Sequence, residues 1–156
     1  MIKYLVMDVD GTLTDGKVYI GPYGETMKAF NIKDGYGIHD ILIPAGITPV
    51  IITGRESSIV LNRCKELGIE EIYQGVKDKL KILMNIISDL STIAYIGDDI
   101  NDLQCMELVK KNGGVVGCPM DAAKQIIDIA DFVAPSSGGN GAVREFIEWI
   151  ISFDNC

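Results

Sequence analysis

The sequence predicts an α/β fold, a Rossmann-like parallel sheet with helices on both faces and one projecting β-hairpin. Two observations lead there. Short runs rich in Val and Ile alternate with longer amphipathic stretches from one end to the other, the pattern of fully buried strands joined by crossover helices. The 156 residues, 47% apolar and 23% charged with no repeat at a solenoid period, match one domain spanning residues 1–156.

The elements follow in order. Residues 2–7 form an apolar run that meets carboxylates in "DVDGTLTD". Residues 17–35, "KVYIGPYGETMKAFNIKDG", place two extended arms around the turn residues Gly21-Pro22-Tyr23-Gly24, which predicts a hairpin with an apolar tip at Tyr19, Ile20 and Tyr23. An isolated hairpin is marginal in water, so a partner surface is expected. Strands are predicted at 48–52, 92–96 and 114–117, and helices at 57–67, 79–90, 102–111, 122–129 and 142–153.

Composition excludes several functions. A net charge of −8 does not suit a nucleic-acid footprint, which needs clustered Lys and Arg. The apolar run before Asp8 is too short for a membrane span or a signal-peptide core, so a cytoplasmic location is expected. Cys64, Cys105, Cys118 and Cys156 are scattered without a CxxC pair, which reads as reduced, structural thiols. His39, the lone histidine, reads as a structural or rim residue. No GxxxxGK precedes a Ser or Thr, and the first strand runs into DxDGT where a dinucleotide fingerprint needs glycines.

In such folds ligands sit beyond the carboxyl ends of the strands. Three predicted strands end there in polar groups: Asp8 and Asp10 after the first, Thr53, Gly54 and Arg55 after the second, and Asp98, Asp99 and Asp102 after the third. Paired carboxylates need solvent, a shared proton or a cation between them. A few carboxylates without Cys or His suit Mg²⁺, which keeps much of its water. Lys79 opens a helix after "QGVKD" and brings positive charge to the same edge. Metal, lysine, a Thr hydroxyl and amides after a Gly together suit a phosphoryl group. Asp8 would then attack phosphorus, with Asp10 as general acid and then base.

"DVDGTLTD", "IITGR", the lysine in "GVKDKL" and "YIGDDINDLQCM" resemble, in order, the four motifs of the haloacid dehalogenase superfamily of phosphatases. The likeness continues through the hairpin segment and "GGNGAVREFIEWI", and is greatest to the small capless group that hydrolyses 3-deoxy-D-manno-octulosonate 8-phosphate. It implies Asp8 as nucleophile and metal ligand, Asp10 as acid/base and metal ligand through its backbone carbonyl, and Asp98 as the third ligand to Mg²⁺. Thr53 and Gly54 would hold the phosphoryl oxygens and Lys79 would bridge phosphate and nucleophile, with Asp99 and Asp102 behind the ligands. Arg55, Glu56 and Arg144 would contact the sugar acid, with "GGNG" closing over the site. The resemblance also implies a homotetramer in which each hairpin covers a neighbour's site, no cap domain, and a role in lipopolysaccharide biosynthesis. Glu56 points instead to nine-carbon substrates, 2-keto-3-deoxynononate or N-acylneuraminate 9-phosphate. Motif order opposes a phospho-accepting receiver domain, and the intact Asp8, Asp10, Lys79 and Asp98 oppose a catalytically silent oligomerisation domain.

Overall fold

The computed structural model describes residues 1–154, with side chains through Ser152, so Cys156 lies outside the described residues. Six parallel strands form one sheet in the order β5-β4-β1-β6-β7-β8: β1 Tyr4–Met7, β4 Thr48–Ile52, β5 Glu71–Tyr73, β6 Ile93–Ile96, β7 Val115–Cys118 and β8 Phe132–Val133. Strand β1 is central, with Met7 level with Ile51 on one side and Ile96 on the other. That register brings Asp8, Thr53 and Asp98 to one edge, because each follows its strand within two residues.

Side-chain alternation divides the core in two. Leu5 and Met7 of β1 point into one cluster with Ile38, Leu42, Val60, Phe146 and Ile150. Val6 points into the other with Ile52, Leu83, Tyr95, Met106, Val109 and Ile126. The first face is covered by α1 (Ile32–Tyr36) running into a π-helical turn (Gly37–Leu42), by α2 (Ser58–Leu67) and by α6 (Ala142–Asp154); the second by α3 (Lys79–Ile86), α4 (Ile100–Lys111) and α5 (Lys124–Ile129). Stacked Phe132, Phe146 and Trp149 rings, with centroids 5.3–5.8 Å apart, seal the first face beside β8.

Local chemistry sets the helix starts. Asp78 accepts from the backbone N–H of Lys81 to cap α3, and Asp99 with Asp102 forms a capping box on α4, which therefore begins earlier than the sequence predicted. Helix α3 ends at Ile86, short of residue 90, because Ile87 is extended and a 3-10 turn (Leu90–Thr92) leads into β6. Strands β5 and β8 and the segment 32–42 were not anticipated. The last begins inside the stretch read as hairpin, with Asn31 capping α1 through the N–H of Lys33.

The hairpin pairs β2 (Tyr19–Gly21) with β3 (Gly24–Met27) around Pro22-Tyr23. Ile20, Tyr23 and Met27 are exposed, whereas Tyr19 is half-buried and its hydroxyl donates to Asp15 Oδ2 at 2.8 Å. Among the described residues nothing larger than this hairpin interrupts the alternation of strand and helix, so there is no cap.

Candidate active site

Asp8 leaves β1 into the body of the protein and is 5% exposed. Its backbone N–H donates to Ile96 of β6, and its Oδ1 accepts from Lys79 Nζ at 2.9 Å. The same ammonium donates to Asp102 Oδ1 at 2.8 Å, which also accepts the Tyr95 hydroxyl at 2.8 Å. Asp102 Oδ2 accepts the backbone N–H groups of Asp98 and Asp99. Asp102 is thus satisfied at both oxygens. Asp98 Oδ1 accepts the Thr12 hydroxyl at 3.0 Å.

The electrostatics show a shortage of positive charge. Burial, with Asp102 nearby, pushes the Asp8 carboxyl up to about 6 despite Lys79. Burial and the charge of Asp8 push Asp98 up to about 8. Burial alone would lower Lys79, but Asp8 and Asp102 outweigh it and hold the ammonium above its ordinary value. Burial and Asp102 keep Tyr95 protonated as a donor.

Carboxylate oxygens of Asp8, Asp98 and Asp102 lie within 4.8 Å of one another, close enough to share a cation. Because Asp102 already accepts four hydrogen bonds, Asp8 and Asp98 are the oxygens left for a metal. An all-oxygen donor set short of positive charge fits Mg²⁺.

Asp8, Asp10, Thr53, Gly54, Arg55, Asp98 and Asp99 line one cleft of about 260 Å³ together with Gly16 and Asn101. The glycine of the DGT turn is needed for space as well as for its φ of 87°: a Cβ on Gly11 would lie 2.1 Å from Asp98 Oδ2. Behind that turn the run Gly138-Gly139 packs tightly. A Cβ on Gly138 would lie 1.8 Å from the Gly11 carbonyl, and Gly139 donates its N–H to the carbonyl of Thr12. The run packs directly against the DGT turn in this chain.

Two predicted substrate contacts lie off the cleft. Glu56 is exposed and faces Gly75, and the Arg144 guanidinium on α6 pairs with Glu148 Oε1 at 2.6 Å and lies over the Tyr36 ring at 5.2 Å. His39 sits at the surface 3.2 Å from Asp40, away from the cleft. Sequence reasoning missed Lys28. Its side chain is 1% exposed, and its ammonium lies 2.5 Å from Asp10 Oδ1 and 2.8 Å from Glu25 Oε1. It also missed the Tyr95 and Thr12 hydroxyls, although Thr12 stands inside the DxDGT motif.

No protein-family model matches the chain. It is similar to the 3-deoxy-D-manno-octulosonate 8-phosphate phosphatase of Escherichia coli strain K12, with 42% identity over 154 residues, 96% of this chain and 79% of that protein. Among solved structures it resembles the enzyme of the same name from Moraxella catarrhalis in complex with magnesium, phosphate and KDO, with a TM-score of 0.89, 41% identity and coverage of 97% of this chain and 86% of that one. The cobalt-bound phosphatase of Haemophilus influenzae superposes with a TM-score of 0.91 at 32% identity, over 99% of this chain and 86% of that one.

Proposed function

Because the chain belongs to the 3-deoxy-D-manno-octulosonate 8-phosphate phosphatases of the haloacid dehalogenase superfamily, we propose how its own residues perform that hydrolysis. The protein is a Mg²⁺-dependent phosphomonoester hydrolase acting on 3-deoxy-D-manno-octulosonate 8-phosphate, an activity that fits lipopolysaccharide biosynthesis. We read residues 1–156 as a single phosphatase domain. Asp8 attacks phosphorus and forms the aspartyl phosphate, while Asp10 gives its proton to the departing sugar oxygen. Asp10 then takes a proton from the water that hydrolyses the acyl phosphate. Lys79 neutralises Asp8 and an incoming phosphoryl oxygen, and Thr53 and Gly54 hold the others. Asp8, Asp98 and the Asp10 carbonyl would hold Mg²⁺, which would supply positive charge to offset that of the carboxylates and the phosphate. Asp99 and Asp102 support this set, and Asp102 orients Lys79. Arg55, at the rim, receives the sugar carboxylate. Glu56 and Arg144 have no part in this reading because their side chains lie off the cleft.

The observation that carries the reading is the buried Lys79 ammonium that joins Asp8, a residue of the cleft lining, to Asp102. Phosphate release with Mg²⁺ should be fast from octulosonate 8-phosphate, slow from nine-carbon sugar-acid 9-phosphates, and absent with EDTA. A preference for a nine-carbon substrate would overturn the substrate assignment.

We further read the hairpin as the cover of a neighbouring subunit's cleft in a homotetramer. Support comes from the exposed Ile20 and Tyr23 at its tip and from a cleft that, among the described residues, no other insertion covers. Trimming the tip around Tyr23 should lower activity and oligomeric state together, and an unchanged tetramer on size-exclusion chromatography would count against it. No helix among the described residues is long and apolar enough to cross a membrane, and a cytoplasmic location is proposed.

A further inference from the structure

A lysine on a surface hairpin ordinarily extends into water, because burying an uncompensated ammonium is costly. Lys28 does the reverse. It leaves the end of β3 and places its ammonium between Asp10 Oδ1 and Glu25 Oε1, almost wholly excluded from solvent. Glu25 is itself fixed from the sheet: its Oε2 accepts the Ser57 hydroxyl at 2.8 Å, and the Ser57 N–H donates to Gln74 Oε1 at 2.9 Å. The foot of the hairpin is therefore tied through Lys28 to the second aspartate of the DxDGT motif and through Glu25 to the loops after β4 and β5.

We propose that Lys28 is a positioning residue for proton transfer: by occupying Asp10 Oδ1 it fixes the carboxyl so that Oδ2 is presented to the leaving oxygen. The inference rests on the reading of Asp10 as the general acid. In the first step the Asp8 carboxylate forms a bond to phosphorus as the bond from phosphorus to the sugar oxygen breaks, and the proton on Asp10 Oδ2 passes to that oxygen. Lys28 gives up no proton. Without it, Asp10 gains rotamers that cannot reach the leaving group, and misplacement of about 1 Å can cost a hundredfold.

Leaving-group dependence separates this role from a structural one. An alkoxide needs protonation as it departs, whereas p-nitrophenolate leaves readily without it. Lys28→Met should lower kcat/KM for octulosonate 8-phosphate by about ten- to a hundredfold and for p-nitrophenyl phosphate by less than about twofold. Lys28→Arg, which keeps the charge, should recover part of the loss, and Glu25→Gln should show a smaller loss with the same dependence. Equal losses on both substrates in Lys28→Met, or in Lys28→Arg and Glu25→Gln should the first variant not fold, would overturn the proposal. Asp10→Asn is the control. If it shows the dependence and the Lys28 variants do not, only the role of Lys28 falls; if Asp10→Asn lacks it too, the acid/base reading falls with it.

Discussion

Two lysines at the carboxyl edge each bridge two carboxylates, yet the bridges are built differently. Lys79 joins Asp8 to Asp102 from the start of α3, with both carboxylates buried and the Tyr95 hydroxyl beneath them. Lys28 joins Asp10 to Glu25 from the hairpin, and the side chains of both carboxylates keep partial contact with solvent, at 22% and 16% exposure. The first bridge belongs to the sheet and its crossover helices. The second belongs to an appendage. The contrast teaches that Asp8, the proposed nucleophile, is held by the core of the fold, whereas Asp10, the proposed general acid, is held by an appendage.

The most severe way to probe the contrast is at the nucleophile. Asp8→Asn should abolish turnover, by a factor on the order of 10⁴ or more in kcat, while the carboxamide preserves the fold. Full activity in single-turnover assays would remove Asp8 from its role. Next comes the lysine of the inner bridge. Lys79→Met leaves Asp8 and Asp102 buried without a counterion and should cost about 3–5 kcal/mol in urea denaturation without Mg²⁺. Lys28→Met should cost less than half of that. Equal costs would mean that the two bridges are buried alike.

Asp34 sharpens the comparison because it is a buried carboxylate with no lysine at all. It faces the start of α6, where Oδ1 accepts the Arg144 N–H at 2.9 Å, and its Oδ2 finds no hydrogen-bond partner among the described residues. Burial raises its carboxyl from 3.8 to about 6 against the pull of the helix amides. The folded chain therefore binds more protons than the unfolded chain between those values, so this contribution to stability is complete below 3.8 and is lost as pH rises through about 6. Asp34→Asn should remove that component, on the order of 3 kcal/mol in the difference between the two proteins across the window. A difference independent of pH would contradict it. The smallest effect is expected at Tyr95→Phe, which removes one donor from Asp102 and should cost about 1–2 kcal/mol, read from the denaturation midpoint. No change would mean that Lys79 alone holds Asp102.

The shared edge of Asp8, Thr53 and Asp98 was legible in the sequence, whereas the Lys28 bridge was not. Asp8, Thr53 and Asp98 each follow an apolar strand, and parallel topology converts that into a shared edge. Lys28 and Asp10 are joined through a turn and a hairpin, and no periodicity encodes where a side chain leaving β3 will point. Strand β5 has three residues and β8 two, too few for a period to register. The segment 32–42 escaped because Gly35 and Gly37 weaken its helical pattern; a Cβ at these positions would lie 2.4 Å from the Arg63 guanidinium and 2.9 Å from Arg144 Cδ. Arg144 follows the glycine run in sequence, yet its side chain lies on α6 against Glu148 and Tyr36 and not in the cleft lining.

The central place of β1 has a consequence for biosynthesis. Asp8 leaves the ribosome long before its partners, with Lys79 71 residues behind it and the Thr12–Asp98 contact spanning 86. Until β6 is made, β1 lacks one neighbour, and the nascent chain carries Asp8 without the partners that surround it in the fold. Stalled chains ending before Ile96 should leave the segment around Asp8 open to protease, whereas chains that include α6 should protect it. Catalytic competence is in this sense a late event of translation, reached only when the C-terminal half has closed over the N-terminal strand.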